Sequence, residues 1–537
     1  MSRFSRKKRK KRFDMRAFAL VSHPLFLGLA ILLGAALSIS FLLVATHPDV
    51  HVAVEISAEN TAMNGSEERQ LVRSSGGIES EIGPEVPYFP PFAEIEDSEK
   101  LITDTLNGKP TIAGIVAQLN KFLKELHESN LKNSKEKLLP NGLVQGYFDL
   151  ATQYLRPLDE PYRGKPIFEI REDDSIFISL AAFREHLLTQ TLKSAFDQAK
   201  NPENLFIGAV VQNCFGTDGR QCKTGLQVIG KNAQGRDQVK MSDAPPDVNG
   251  IEEFCRDPLY KKYCKSGHIR ALYLHDTDAL GPAVARYYAS KLWAGESYFL
   301  QMDSHLGELV RSMKYFQNQQ FAPNWDAKYI AEVKAAKSFP KAILSSYPPG
   351  FTNFGGYSGG SPGTRLCTCQ FSNNDVENHI IRINTGGRCK GDEPRPTQIA
   401  FIAAGFFFAR AEFLIDVPFD PYVPWCFMGE EIALSIRAPG RLGLPKFWES
   451  VGRDSGRPGL NTKVQKHVLR RIKHMVGYTT DTKDSIEAEG DGVVLTDLEH
   501  YTVGNTRPLE GYLELTNIDV ENMKCGYMMW CARGTLE

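Results

Sequence analysis

The spacing of apolar residues changes near residue 173, and the new pattern predicts an α/β domain. The runs SIFISLAAF and LFIGAVVQNC are short, rich in β-branched and aromatic residues, and separated by the helical stretch LLTQTLKSAFDQAK. Strand, helix and strand at this pitch indicate a βαβ unit and a parallel sheet. A third run, HIRALYLHD, leads through the helical stretch AVARYYASKLWAG into a fourth, SYFLQM. We therefore predict a doubly wound nucleotide-binding sheet over 173–537, with ligands at the carboxyl ends of its strands.

A different pattern, an uncharged apolar run from Leu25 to Ala45, lies near the start of the chain. As a helix this run is long enough to cross a hydrocarbon core of about 30 Å, and it is longer than the apolar part of a cleaved signal peptide. Nine basic residues precede it within 1–16, against the single acidic residue Asp14. By the positive-inside rule these charges place a tail of residues 1–16 in the cytosol. We predict a transmembrane signal anchor over 17–45 with type II topology, and no nucleic-acid partner for the basic tail.

Two further segments separate this anchor from the α/β domain. Residues 46–99 are polar, acidic and proline-bearing, which predicts a disordered stem. Residues 100–172 contain helical patterns such as IAGIVAQLNKFLKEL, which predict a helical spacer without chemistry of its own. All ten cysteines of the chain follow the apolar run. In an oxidising lumen they favour disulfides and buried thiols over a zinc site at Cys367 and Cys369, which lack a second matching pair.

The first candidate for chemistry is Asp303-Ser-His305, directly after the run SYFLQM. A carboxylate and an imidazole two positions apart at a strand end would both point at the crevice where a nucleotide diphosphate binds. A divalent cation held there would offset the charge of the diphosphate and stabilise it as it leaves. The alternative interpretation is a strand-end turn with a solvated aspartate.

The second candidate is Gly429-Glu430-Glu431, which opens the helical stretch EEIALSIR. One of the two carboxylates could position an acceptor hydroxyl or contact a donor sugar. Alternatively, both could simply complement the dipole of the helix. Upstream, Gly405 precedes a run of phenylalanines and indicates a close backbone approach beside a buried strand.

Three more residues follow predicted strands. Arg184 ends the first strand, where its forked donors suit a phosphate or a uracil carbonyl, or equally a surface ion pair. Gly281 and Arg286 belong to a strand-to-helix turn. The start of that helix could face a phosphate, although a plain turn fits equally well.

Six blocks of the sequence, taken in order, resemble one known family. They are SIFISLAAFRE, ALGPAVAR, YFLQMDSH, AAGFFFARAEFLIDVPFDP, MGEEIALSIR and RPLEGYLELTNID. This set is similar to the protein N-acetylglucosaminyltransferases, which attach α-linked GlcNAc to hydroxyproline or threonine and are related to the polypeptide GalNAc-transferases. The resemblance covers the chain from about Asp174 to its C-terminus.

The resemblance implies a GT-A fold, UDP-GlcNAc as donor, an acceptor polypeptide, a divalent metal such as manganese, and retention of anomeric configuration. By position, Asp303 and His305 would form the metal and diphosphate pair, and Arg184 would lie beside the nucleotide. Glu430 and Glu431 would lie near the sugar and the acceptor. Together with the anchor, the resemblance predicts a Golgi membrane enzyme with a luminal catalytic domain.

One departure from the family pattern follows Arg437. The family usually continues with a Trp-Thr-x-Gly-Tyr-Asp segment and then a histidine that can complete metal binding, whereas here APGRLG runs almost directly into PKFW. We do not expect His467 or His474 to substitute. The departure keeps open an inactive lectin-like or scaffold relative beside an active GlcNAc-transferase. A transferase for another UDP-sugar is a further alternative, since it would share the fold and the metal site.

Overall fold

The computed structural model describes most of the chain from residue 95 onward. The described residues are 95–136, 140–216, 221–231, 237–304, 321, 323–346, 364–373, 379–384, 386, 396–442, 447–449, 462–479 and 481–534. The predicted tail 1–16, the predicted anchor 17–45 and nearly all of the predicted stem 46–99 lie outside these ranges, as does His305. Within them, no helix combines the length and the apolar character needed to cross a bilayer.

Fourteen strands and sixteen α-helices are described. The strands are β1 (Ile176–Phe183), β2 (Leu205–Asn213), β3 (Cys222–Lys231), β4 (Asp237–Ala244), β5 (Ile269–His275), β6 (Tyr298–Asp303), β7 (Ile343–Ser345), β8 (Thr368–Phe371), β9 (Ile381–Asn384), β10 (Gln398–Ile399), β11 (Phe406–Arg410), β12 (Phe447–Glu449), β13 (Ile518–Asp519) and β14 (Lys524–Cys525). The helices are α1 (Ser98–Leu106), α2 (Ile112–Glu136), α3 (Pro140–Tyr154), α4 (Arg156–Asp159), α5 (Leu188–Gln198), α6 (Gly250–Arg256), α7 (Lys261–Lys265), α8 (Pro282–Ser290), α9 (Trp325–Ala335), α10 (Phe413–Asp416), α11 (Glu430–Leu442), α12 (Thr462–Val476), α13 (Lys483–Ala488), α14 (Leu498–Tyr501), α15 (Leu509–Thr516) and α16 (Met529–Arg533).

An eight-stranded mixed sheet has the order β5-β2-β1-β6-β11-β7-β12-β10. Its first four strands are parallel, and they are the four predicted apolar runs, so the βαβ prediction is confirmed. The prediction of a parallel sheet is wrong only for β11, which runs antiparallel to both β6 and β7, and for β10, which runs antiparallel to β12; β7 and β12 are parallel to each other. Nothing in the apolar run of β11 distinguishes the two directions, since a strand buried on both faces has the same composition in either.

Alternate residues of the central strands enter two separate cores, one on each face of the sheet. Phe177 and Phe407 pack on the face that carries α8, while Ile178 and Phe408 pack on the face that carries α5 and α9. Burial on both faces explains why these strands appear in the sequence as continuous apolar runs rather than as alternating ones. The architecture is therefore a sheet between two helical layers.

The predicted spacer over 100–172 is helical, as expected, but its helices belong to the core of the α/β domain. The ring of Phe122 on α2 lies 6.0 Å, centroid to centroid, from that of Tyr288 on α8. The hydroxyl of Tyr147 on α3 donates to the carbonyl of Pro421 at 2.7 Å. The amphipathic pattern of these helices thus marks a face that packs on the domain rather than a separate spacer.

Four disulfides join the described cysteines. They are Cys214–Cys222, Cys255–Cys264, Cys367–Cys531 and Cys369–Cys525, and Cys426 is a buried free thiol. The predicted combination of disulfides and buried thiols is confirmed. A zinc site at Cys367 and Cys369 is excluded, since both sulfurs are bonded to cysteines near the C-terminus. These two bonds join the C-terminal segment to β8 and to the residue just before it.

Candidate functional site

The strand order creates a switch point between β1 and β6. The chain proceeds from β1 to β2 and β5 on one side, and then crosses to place β6 on the other side of β1. In open α/β sheets, ligands bind at such a point, in the crevice beyond the carboxyl ends of the strands. Arg184 directly follows β1, and Asp303 is the last residue of β6. Two of the predicted site residues therefore flank the crevice.

Arg286 joins two other predicted residues at this point. Its Nη2 donates to Asp303 Oδ1 at 2.8 Å, and its Nη1 donates to Glu430 Oε2 in a short hydrogen bond. Arg286 lies on α8, and Glu430 begins α11, so the guanidinium connects two helices to the end of β6. Three residues that are far apart in the sequence thus form one ionic group.

Burial distinguishes Glu430 within this group. Its side chain is only 7% exposed, and its second oxygen, Oε1, has no hydrogen-bond partner in the described structure. Burial raises the pKa of Glu430, and Asp303 raises it further, although Arg286 acts in the opposite direction. Arg286 is also buried, which works against its charge, but the two carboxylates outweigh that effect and its pKa is raised.

Glu431, which directly follows Glu430, is the fourth residue of this ionic group. Its Oε1 accepts the backbone N–H of Ala404 at 3.2 Å, and the next residue, Gly405, accepts the N–H of Asp303 through its carbonyl at 3.0 Å. Glu431 is only partly buried, in contrast to Glu430. We call Arg286, Asp303, Glu430 and Glu431 the acidic cluster. Three carboxylates against one guanidinium leave it a formal charge of −2.

Gly405 is required by close approach to the acidic cluster. A Cβ atom at this position would lie 2.7 Å from Asp303 Oδ2 and 3.3 Å from its Cγ. Only glycine therefore leaves room for the carboxylate in its present place. The close backbone approach predicted for Gly405 is confirmed, and its partner is the carboxylate at the end of β6.

The acidic cluster has the donor chemistry for a divalent cation. Carboxylate oxygens are the ligands that Mg²⁺ and Mn²⁺ prefer, and the unpartnered Oε1 of Glu430 fits such a group. Within the described ranges, no three histidine, cysteine or acidic side chains are arranged to hold an ion. The predicted pair of Asp303 and His305 stays a prediction, because His305 lies outside them.

Arg184 lies in a separate ionic group at the end of β1. Its Nε and Nη2 donate to the two oxygens of Asp247 at 2.7 and 2.9 Å, and Nη1 donates to the carbonyl of Lys223 and lies 3.7 Å from Asp276 Oδ2. Two carboxylates beside one guanidinium give a net negative charge, which does not suit a phosphate. The arrangement favours an ion-paired role with spare N–H donors for a neutral group. Sequence reasoning did not identify Asp247, which lies 63 positions from Arg184 with no motif that links them.

Gly281 has a packing role at the start of α8. It adopts a positive φ of 88°, and a Cβ there would lie 3.2 Å from the Cα of Trp425. The carbonyl of Leu280 accepts the N–H of Trp425. Residues just before α11 therefore cover this turn, which favours the interpretation as a turn over that of a phosphate site.

Comparisons with solved structures give low similarity scores. The crystal structure of GalNAc-T7 with UDP, GalNAc and Mn²⁺ has 12% identity and a TM-score of 0.32, over 67% of this chain and 56% of that one. Staphylococcus aureus TarS 1–349 in complex with UDP-GlcNAc has 13% identity and a TM-score of 0.29, over 61% and 72%. The match thus spans little more than half of GalNAc-T7. No curated protein matches the chain.

A family model gives the more specific result. The model described as Glycosyltransferase (GlcNAc) matches residues 175–441, just under half of the chain. The matched range begins at β1 and ends within α11, so it contains the switch point, Arg184 and the whole acidic cluster. Residues 175–441 thus form a glycosyltransferase domain of the GlcNAc type.

Proposed function

We propose that this protein transfers GlcNAc from UDP-GlcNAc to a hydroxyl group of threonine, serine or hydroxyproline in luminal proteins, with retention of configuration. The observation that carries the proposal is the acidic cluster at the switch point between β1 and β6, inside the matched domain. The resemblance of the six sequence blocks supports GlcNAc as the sugar and a polypeptide as the acceptor.

In this reaction the acceptor oxygen bonds to C1 of GlcNAc, while the bond from C1 to the β-phosphate oxygen breaks and UDP leaves. The hydroxyl proton is released to a base in the site. Glu431, which is partly exposed and held by the Ala404 amide, is suited to orient a sugar or acceptor hydroxyl. Glu430 is buried against Arg286 and is suited to hold the site in place. The assignment of Glu430 and Glu431 as catalytic residues stays a prediction.

A divalent cation such as Mn²⁺ would be held by Asp303, with His305 as its predicted companion. When bound, the cation would offset the negative charge of the departing diphosphate. Arg184 would lie beside the nucleotide, where its remaining N–H donors suit a uracil carbonyl.

We also propose that the protein is a type II Golgi membrane protein with a luminal catalytic domain. The uncharged apolar run after the basic tail supports an anchor. Four disulfides support a compartment that is oxidising, since such bonds do not persist in the cytosol.

The test is a donor panel on the purified chain, measured with and without Mn²⁺. UDP-GlcNAc, UDP-GalNAc and UDP-Gal are each supplied with threonine and hydroxyproline peptides, and UDP release and peptide mass are followed. We expect Mn²⁺-dependent addition of one GlcNAc residue. Transfer of another sugar would replace the donor assignment. Binding of glycopeptide without turnover of any donor would establish the lectin-like alternative.

Replacing Gly405 with alanine should lower transferase activity by about 100-fold, as for a displacement of about 1 Å at a reacting centre. The new Cβ cannot remain 2.7 Å from Asp303 Oδ2, so the carboxylate must move. The measurement is kcat/KM for UDP-GlcNAc. Gly511→Ala on α15 is the matched control, because a Cβ there has no heavy atom within 4 Å. Equal activity of the two variants would contradict the role of Gly405.

A further inference from the structure

Arg286 is placed to hold two carboxylates rather than to bind a ligand. Arg286 is only 7% exposed, and its two terminal nitrogens donate one to Asp303 and the other to Glu430. A guanidinium that bound the donor diphosphate would need an open face toward the crevice. Instead, its forked geometry is used within the protein, where it is more rigid than a lysine would be.

We propose that Arg286 is the positioning residue of the site, a buried bridge that fixes Asp303 at the end of β6 against Glu430 at the start of α11. The bridge rests on the proposed function and assigns Arg286 a role other than the contact with donor phosphate expected from its position in the sequence. The bridge thus sets the distance between the cation-binding side of the site and α11, which carries Glu431.

The backbone around Arg286 restricts its position. The α8 helix begins at Pro282, directly after Gly281, which packs on the backbone of Trp425. The Leu280 carbonyl and the Trp425 N–H form a hydrogen bond that joins the start of α8 to the segment before α11. The helix that carries Arg286 is therefore joined through its first turn to the segment that precedes Glu430.

The charged residues near Glu430 that the structure describes have partners of their own. A small apolar cavity under Glu430 is also lined by Cys426, Asp420 and Arg437. Asp420 is engaged with Arg471 at 2.7 Å, and Arg437 donates to the Pro418 carbonyl at 2.6 Å. Arg286 is the cation that the described structure shows paired with Glu430. Removing it leaves a buried carboxylate uncompensated, which is strongly destabilising.

A double-mutant cycle on the full chain tests the bridge, with the variants Arg286→Met, Glu430→Gln and the two combined. Arg286→Met should lower kcat/KM by about 100-fold through displacement of Asp303, and it should lower the Tm by several degrees. Glu430→Gln in the Arg286→Met background removes the uncompensated charge. The double variant should therefore be no less active than Arg286→Met and should have a higher Tm.

Arg286→Lys distinguishes a bridge from a phosphate contact. A lysine keeps the charge but has one ammonium group in place of a fork, so it should restore the Tm only in part and leave kcat reduced. If Arg286 instead contacted the donor phosphate, Arg286→Lys would raise only the KM for UDP-GlcNAc. The losses of activity caused by Arg286→Met and Glu430→Gln would then multiply in the double variant. Either of these outcomes would overturn the bridge. The Tm values can be measured whether or not the protein is an active transferase. If the unaltered chain were inactive but the two substitutions had non-additive effects on Tm, the proposed function would be overturned and the bridge supported.

Discussion

Asp303→Asn should reduce transfer of GlcNAc by at least about 100-fold, because it removes the anionic ligand that a cation at the leaving diphosphate requires. The side chain is nearly unchanged in shape, and the backbone hydrogen bond from Asp303 to Gly405 is kept. The loss should appear in kcat at saturating donor. Addition of Mn²⁺ should restore little of the lost activity, because the variant lacks a ligand for the cation and a higher Mn²⁺ concentration does not replace that ligand.

The control for this variant is Asp149→Asn on α3. Asp149 accepts a hydrogen bond from Gln145 at 2.8 Å on the exposed side of that helix and does not contact the acidic cluster. It should leave kcat, KM and the Mn²⁺ requirement as they are in the unaltered chain. If Asp303→Asn retained full Mn²⁺-dependent activity, Asp303 would have no role in the reaction and the acidic cluster would not be the active site.

Glu296→Ala should cost about 3–5 kcal/mol of unfolding free energy, the range found when one member of a buried ion pair is removed. Glu296 is fully buried, and its Oε1 accepts from Arg270 at 2.6 Å and from Arg171 at 2.7 Å. Its Oε2 accepts the backbone N–H of Ala294 at 2.9 Å. Without the carboxylate, Arg270, which is only 7% exposed, would keep a buried charge with no counter-ion.

Urea unfolding followed by fluorescence measures this effect, and two further variants refine it. Glu296→Gln keeps the shape but loses the charge, and it should be intermediate. Glu203→Ala removes the partner of Lys262 from an exposed ion pair and should have little effect, since solvent screens such pairs. A Glu296→Ala chain as stable as Glu203→Ala would show that the pair with Arg270 contributes nothing.

Several features of the site followed from local sequence. The apolar runs of β1, β2, β5 and β6 are recognisable because each strand is buried on both faces. Asp303 could be placed at a strand end because a polar residue directly follows such a run. Glu430 and Glu431 could likewise be placed at the start of a helix. These inferences needed only neighbours within about ten positions, which is the range over which periodicity is informative.

Other features had no local signal. Glu430 is separated from Arg286 by 144 positions, and Asp247 from Arg184 by 63. The antiparallel direction of β11 and the disulfides Cys367–Cys531 and Cys369–Cys525 are similarly long-range. The helices of 100–172 were assigned as helices correctly, but their burial against α8 depends on a surface formed by residues much later in the chain.

By itself, the amino-acid sequence determined the type and approximate bounds of the elements near the site, the chemical groups at their ends and the redox state expected for the cysteines. Only the tertiary structure decided which of those groups meet. It placed β6 beside β1, and so brought Asp303 to the switch point, Arg286 between two carboxylates and Gly405 against Asp303. The physical reason is that hydrophobic periodicity reports whether a residue is buried, whereas the partner of a buried charge depends on strand order and helix packing, which no short stretch of sequence encodes.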